Sequence, residues 1–257
     1  MRRSTLTSSA YAAIGVAALI AVWQAGSMLI GNSLLLPSPA EALRALGTLV
    51  RSRGFFSDLW ASTARVLKGF ALSYALGLAF GAASGMMRPV RYMLSPLFAA
   101  LRTIPFISLS VLAIIWFPSG TVPVFVAFLM AFPIVASDVS EGMVSVDPLL
   151  IELTKVYKVP LRKAVTGLYL PSLAPHLVSA FSQALGMSWK IVVSAEVLSM
   201  PSRGIGGRMD SARSFLETPE LFAWTLLLVA LGFAADAALG AIRARAFRWR
   251  EGRLWRM

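Results

Sequence analysis

Two long stretches of this chain, residues 4–40 and 103–137, carry no charged side chain at all. A water-facing surface seldom goes so long without charge. A bilayer requires it, since each crossing helix needs about 20 apolar residues with its backbone groups satisfied internally. Charged residues make up 14% of the chain, against roughly 25% in soluble domains. The expected fold is therefore all-α: a polytopic membrane helical bundle, with residues 1–257 as a single membrane domain.

About six transmembrane helices are expected, at residues 10–31, 66–87, 93–117, 121–139, 173–200 and 221–242. The first follows Arg2 and Arg3. A cleaved signal peptide is the alternative, with Gln24-Ala25-Gly26 as a weak cleavage site, but the apolar run is long for one. Leu36-Pro37-Ser38-Pro39 ends that helix. Residues 40–62 then read as an external amphipathic segment, because Ala42, Leu43, Leu46, Leu49 and Val50 recur at helical spacing. The second span carries a stripe of small residues, Gly69, Ser73, Gly77, Gly81 and Gly85, which lets a neighbouring helix approach closely. Phe117-Pro118-Ser119-Gly120 turns the third span into the fourth, and Pro105 and Pro133 are expected to kink these two arms.

The net charge of +12 does not point to nucleic acid, because Arg and Lys gather at the ends of apolar runs. Their asymmetry orients the bundle instead. With the N-terminus inside, the cytoplasmic segments hold Arg2, Arg3, Arg88, Arg91, Lys155, Lys158, Arg162, Lys163 and a basic tail at 243–257. Both termini then face the cytoplasm. The absence of cysteine rules out disulfides, Cys-ligated zinc and thiol catalysis. One histidine, His176, and no G-x-S-x-G or H-E-x-x-H pattern leave little for an intramembrane enzyme, and no metal site is expected.

Residues 140–172 form the longest polar interruption between spans. Asp147 suits a helix N-cap and Pro148 the first helical position. Leu149, Leu150, Leu153, Val156 and Tyr157 make one apolar stripe, with Glu152, Lys155 and Lys158 facing elsewhere. Such a helix either rests on lipid headgroups or docks in a groove of a soluble partner.

Glu152-Leu153-Thr154, then Lys158, then Leu168-Tyr169-Leu170-Pro171, resembles the EAA loop of bacterial ATP-binding-cassette (ABC) importer permeases. That pattern reads Glu-Ala-Ala, three residues, Gly, nine residues, Ile-x-Leu-Pro. Glu152, Leu170 and Pro171 match in register, while Leu153, Thr154 and Lys158 depart from the alanines and the glycine. Leu35-Leu36-Pro37-Ser38-Pro39, Arg65-Val66-Leu67-Lys68-Gly69-Phe70, Arg102-Thr103-Ile104-Pro105 and Ser188-Trp189-Lys190 extend the likeness to the nitrate/sulfonate/taurine branch. The resemblance implies a type I importer fold in the bacterial inner membrane, with a cytoplasmic coupling helix between spans four and five. It further implies a permease homodimer, a cytoplasmic ABC ATPase that uses ATP-Mg, and an external solute-binding protein. This chain has no G-x-x-x-x-G-K-[ST] loop, so it is a non-catalytic subunit that binds no cofactor itself.

Ionisable residues within a span are functional candidates by default. Trp189, Lys190 and Glu196 are accordingly candidates for lining the pathway, with a structural pair as the alternative for the two charges. Asp138 and Asp236 are possible partners for Lys190. A passive channel or a membrane scaffold also accounts for the spans, but gives the capped loop helix no purpose.

Overall fold

In a computed structural model the described backbone covers residues 2–246, with side chains described within 11–240 except at 12 and 239. Most of the expected basic tail, from 247 to 257, lies outside the described residues. The helices in chain order are α1 (Arg2–Ile30), α2 (Pro39–Arg51), α3 (Phe55–Met86), α4 (Arg88–Thr103), α5 (Phe106–Trp116) and α6 (Val122–Val144). There follow α7 (Pro148–Val156), α8 (Leu161–Ala164), a π-helical turn (Val165–Tyr169), α9 (Leu170–Ser199), α10 (Ile205–Ser214) and α11 (Thr218–Ala246). By contacts the chain divides into two compact units, residues 1–58 with 208–231 and residues 59–207 with 232–257.

In the first unit, Trp23 Nε1 donates to the Pro37 carbonyl at 2.9 Å and the Trp23 ring stacks on Phe222 at 5.6 Å. α2 starts on a capping box: Ser38 accepts from the Glu41 N–H while the Glu41 carboxylate accepts from the Ser38 N–H. The helix stops at Arg51, and Gly54 takes a φ of +107° that an L side chain resists. The amphipathic segment, expected to be external at 40–62, is thus shorter, and residues 55–62 belong to α3. Within this stretch Asp58 is charged but buried, and Arg208 pairs with it at 2.7 Å. Trp224 is also buried, stacked on Phe55 at 5.7 Å.

In the second unit α6 is the most enclosed helix, with Val126, Ala127, Ala131, Val135 and Ala136 fully buried. α9 lies along it through Ala180, Ala184, Val192 and Ala195. α5 adds Leu109 and Ala113 to this core, and Phe98 of α4 meets Phe132 at 5.6 Å.

Among the described residues four helices are long and apolar enough to cross a membrane, or five if α4 and α5 count as one broken span. The expected span at 93–117 is not one helix: α4 and α5 meet at 98°. Ile104 sits extended ahead of Pro105, as the ring of a following proline favours, so the helix breaks where a kink was expected. By contrast α6 runs on through Pro133 to Val144. α9 falls outside the apolar set although it is 30 residues long. Three of its serines, Ser182, Ser188 and Ser199, each donate to the carbonyl four residues earlier. The loop expected at 201–220 also contains α10.

Candidate functional site

The loop between α6 and α9 is narrower than the expected 140–172, because α6 reaches Val144 and α9 begins at Leu170. Asp147 Oδ1 accepts from the Leu149 N–H at 2.8 Å and Pro148 occupies the first turn, so α7 starts as its sequence dictates. Leu149, Leu150, Leu153, Val156 and Tyr157 are all exposed, from 42% at Leu153 to 76% at Tyr157. Glu152 is exposed beside them, and Thr154 is half-buried with its hydroxyl on the Ile151 carbonyl. The anchor is a residue outside the stripe: Ile151 is half-buried and packs against the core cluster that contains Val146 and Leu173. Thus α7 is held from one side and bare on the other.

Its C-terminus explains the EAA-like spacing. The Val159 N–H donates to the Thr154 carbonyl at 2.9 Å and the Lys158 N–H to that of Lys155 at 3.1 Å. This pair of bonds is a Schellman closure, and it puts the residue after the cap in the left-handed region. Lys158 is that residue, with φ +48°. It stands where the importer pattern has glycine, so the turn persists without the residue that adopts it most freely. After Pro160, α8 and the π turn lead into α9, where Pro171 sits in the first turn beside an exposed Leu170.

The small-residue stripe of α3 faces α6. A Cβ on Gly69 would stand 3.0 Å from Ala127 Cβ, on Gly77 2.6 Å from Val135 Cβ, and on Gly81 2.6 Å from the Ala136 carbonyl oxygen. One on Gly85 would collide with Met143. Ser73 donates to the Phe128 carbonyl at 3.1 Å. His176 packs against Gly142, where a Cβ would fall 2.9 Å from its ring, joining α9 to α6 just as tightly.

Of the three pathway candidates, Glu196 has its side chain fully buried, in the arrangement of the structural-pair alternative. Arg65 donates to Oε1 at 2.6 Å, Ser62 to Oε2 at 2.7 Å and the Gly206 N–H to Oε2 at 2.9 Å. Ser62 in turn accepts from the Ile205 N–H at 2.8 Å, so the first backbone donors of α10 are taken up by α3 and α9. Arg65 also bonds the Gly120 and Arg203 carbonyls. Position within an apolar span suggested a pathway role, whereas the partner lay 131 residues away, beyond local spacing. Trp189 is half-buried against the core and Lys190 is exposed. Asp138 accepts from Gln183 at 2.9 Å, and among the described residues Lys190 is in no ion pair.

The family described as binding-protein-dependent transport system inner membrane component matches residues 74–248. A putative aliphatic sulfonates transport permease of Bacillus subtilis is 28% identical over 237 residues, 91% of this chain and 86% of that one. The taurine transport system permease of Escherichia coli is 27% identical over 241 residues, covering 91% and 87% of the two chains. Among solved structures, inward-facing conformations of the MetNI methionine ABC transporter share the fold, with a TM-score of 0.61 and 20% identity. That likeness covers 74% of this chain and 94% of that one.

Proposed function

The chain belongs to the binding-protein-dependent transport system inner membrane component family and is a membrane permease subunit of an ABC importer, and we propose that it admits a small sulfonate-type solute through a homodimer. In this reading α9 is a further crossing, shielded from lipid by its neighbours, and both termini face the cytoplasm. A cytoplasmic ABC ATPase grips the bare face of α7 and uses ATP-Mg, while an external binding protein delivers solute to the opposite side.

The observation that carries the coupling role is the division of α7. Ile151 fixes the helix to the α6–α9 core while five large apolar side chains remain uncovered. A helix tethered this way passes on whatever displacement a partner imposes, because close-packed contacts shift as a unit. The sulfonate class rests on the named relatives.

Purification of the tagged chain from its native membrane in mild detergent, with mass identification of bound proteins, tests this. Recovery of an ABC ATPase and a solute-binding protein is expected. Recovery of the chain alone, repeated after crosslinking, would remove the coupling assignment.

A further inference from the structure

A second polar feature lies away from α7, where α4 crosses α3 and the C-terminal half of α6. A cavity of about 490 Å³ opens there, within the range of roughly 300–1,000 Å³ typical of small-ligand sites. Five of its lining residues are serines, Ser84, Ser95, Ser137, Ser140 and Ser145, and two are arginines, Arg91 and Arg102. So many hydroxyls and guanidiniums in one cleft between apolar helices need an explanation, since lipid-side packing alone favours neither.

The arginines are only partly employed. Arg91 donates Nε to the Ser84 carbonyl at 3.2 Å and Nη2 to that of Gly85 at 3.3 Å, closing the end of α3. Arg102 donates one N–H to the Pro133 carbonyl at 3.3 Å. Each guanidinium has five N–H donors, so most of this capacity is unspent. Among the described residues neither arginine has a carboxylate within 4.0 Å, and Glu141 is the one acid in the lining. The lining itself therefore carries one excess positive charge, and Asp138, next to the lining residue Ser137, also interacts electrostatically with Arg102.

We propose that this cavity is an oxyanion site, built to take a sulfonate or phosphate group on Arg102 and Arg91 with the Ser84 and Ser137 hydroxyls completing the shell, since Ser140 donates to Ser84 and Ser145 to the Gly142 carbonyl. Several acceptor oxygens on one charged head match fork-shaped guanidiniums and hydroxyl donors. The head belongs either to the transported solute or to an anionic phospholipid. The solute arm rests on the proposed sulfonate class; the site itself does not.

The cysteine-free sequence supplies the test. Ser95→Cys puts a single thiol in the exposed part of the lining of the full-length chain, delipidated and held in dodecyl maltoside, which carries neither phosphate nor sulfonate. With ethanesulfonate as probe, maleimide labelling should slow about tenfold at ten times its half-protecting concentration. Adding Arg102→Gln should abolish this protection, and Arg102→Lys should restore part of it. If added phosphatidylglycerol protects the thiol and ethanesulfonate does not, the oxyanion is the lipid's and the solute arm falls. Labelling that is equally fast with ethanesulfonate, with phosphatidylglycerol and with neither, in a monodisperse protein, overturns the site. An ATPase that still co-purifies in that case leaves the importer assignment standing.

Discussion

Arg65 and Glu196 face each other at 2.6 Å with the carboxylate wholly excluded from solvent. The pair sits where α3, the 118–121 turn, α9 and the start of α10 converge, and each group also serves backbone partners: Arg65 the Gly120 and Arg203 carbonyls, Glu196 the Gly206 N–H. A buried pair of this kind is a poor source of net stability, yet losing one partner strands the other.

Glu196→Ala should therefore cost about 3–5 kcal/mol, the usual penalty for orphaning a buried charge. Glu196→Gln should cost less, since its amide oxygen still accepts from Ser62 or Gly206 while the charge opposite Arg65 is lost. Thermal unfolding in detergent measures both. If Ala and Gln variants melted with the wild-type chain, the pair would be idle.

Most helices are legible in the sequence, but not all of their ends. A charge reads as solvent-facing, so Asp58 hides the start of α3, although it is paired with Arg208 and buried. The cap of α7 was readable because Asp147 and Pro148 act locally, as was the stripe on α3, whose spacing is fixed by helix geometry. Partners such as Arg65 and Glu196, far apart in sequence, leave no local trace.

The α3–α6 contact gives a steric prediction. At Gly81 a Cβ would come within 2.6 Å of the Ala136 backbone oxygen, which has no rotamer with which to withdraw. Gly81→Leu should separate the helices and cost at least about 1–3 kcal/mol. Gly186 has open space around it, so Gly186→Ala should change stability by no more than about 1 kcal/mol. Equal melting of the two variants would refute the close packing as a source of stability.

Lys158 holds a left-handed conformation that costs a non-glycine residue roughly 1–2 kcal/mol. Lys158→Gly should recover about 1 kcal/mol at the end of α7, visible as slower amide exchange at Tyr157, Lys158 and Val159. Lys158→Val should speed exchange at the same amides. Glycine that left these rates unchanged would mean the strain is absorbed elsewhere.

Glu152 lies exposed on α7, the helix proposed to meet the ATPase. Glu152→Lys reverses a charge without disturbing the Ile151 anchor. Membrane insertion and melting should be unchanged, while ATP-dependent uptake falls to background. Uptake at the wild-type rate would place the energetic contact elsewhere than this face.

Glu41 provides a pH prediction outside the membrane. The Ser38 backbone N–H, and after it the Ser38 hydroxyl, hold the carboxyl below its ordinary value of 4.5 by bonding its charged form. A depressed folded-state pKa means that the unfolded chain binds the proton more readily, so the cap's contribution is complete above 4.5. It is lost as pH falls through the folded value, when protonation removes the acceptor that closes the box on Ser38. Amide exchange in the first turn of α2 should accordingly rise, relative to the intrinsic rate, as pH is lowered from 6 toward 3, roughly the carboxylate titration range. Glu41→Gln should make that ratio flat over the same range, because glutamine bonds Ser38 without titrating. A wild-type ratio as flat as the variant's would show that the carboxylate adds nothing to the start of α2.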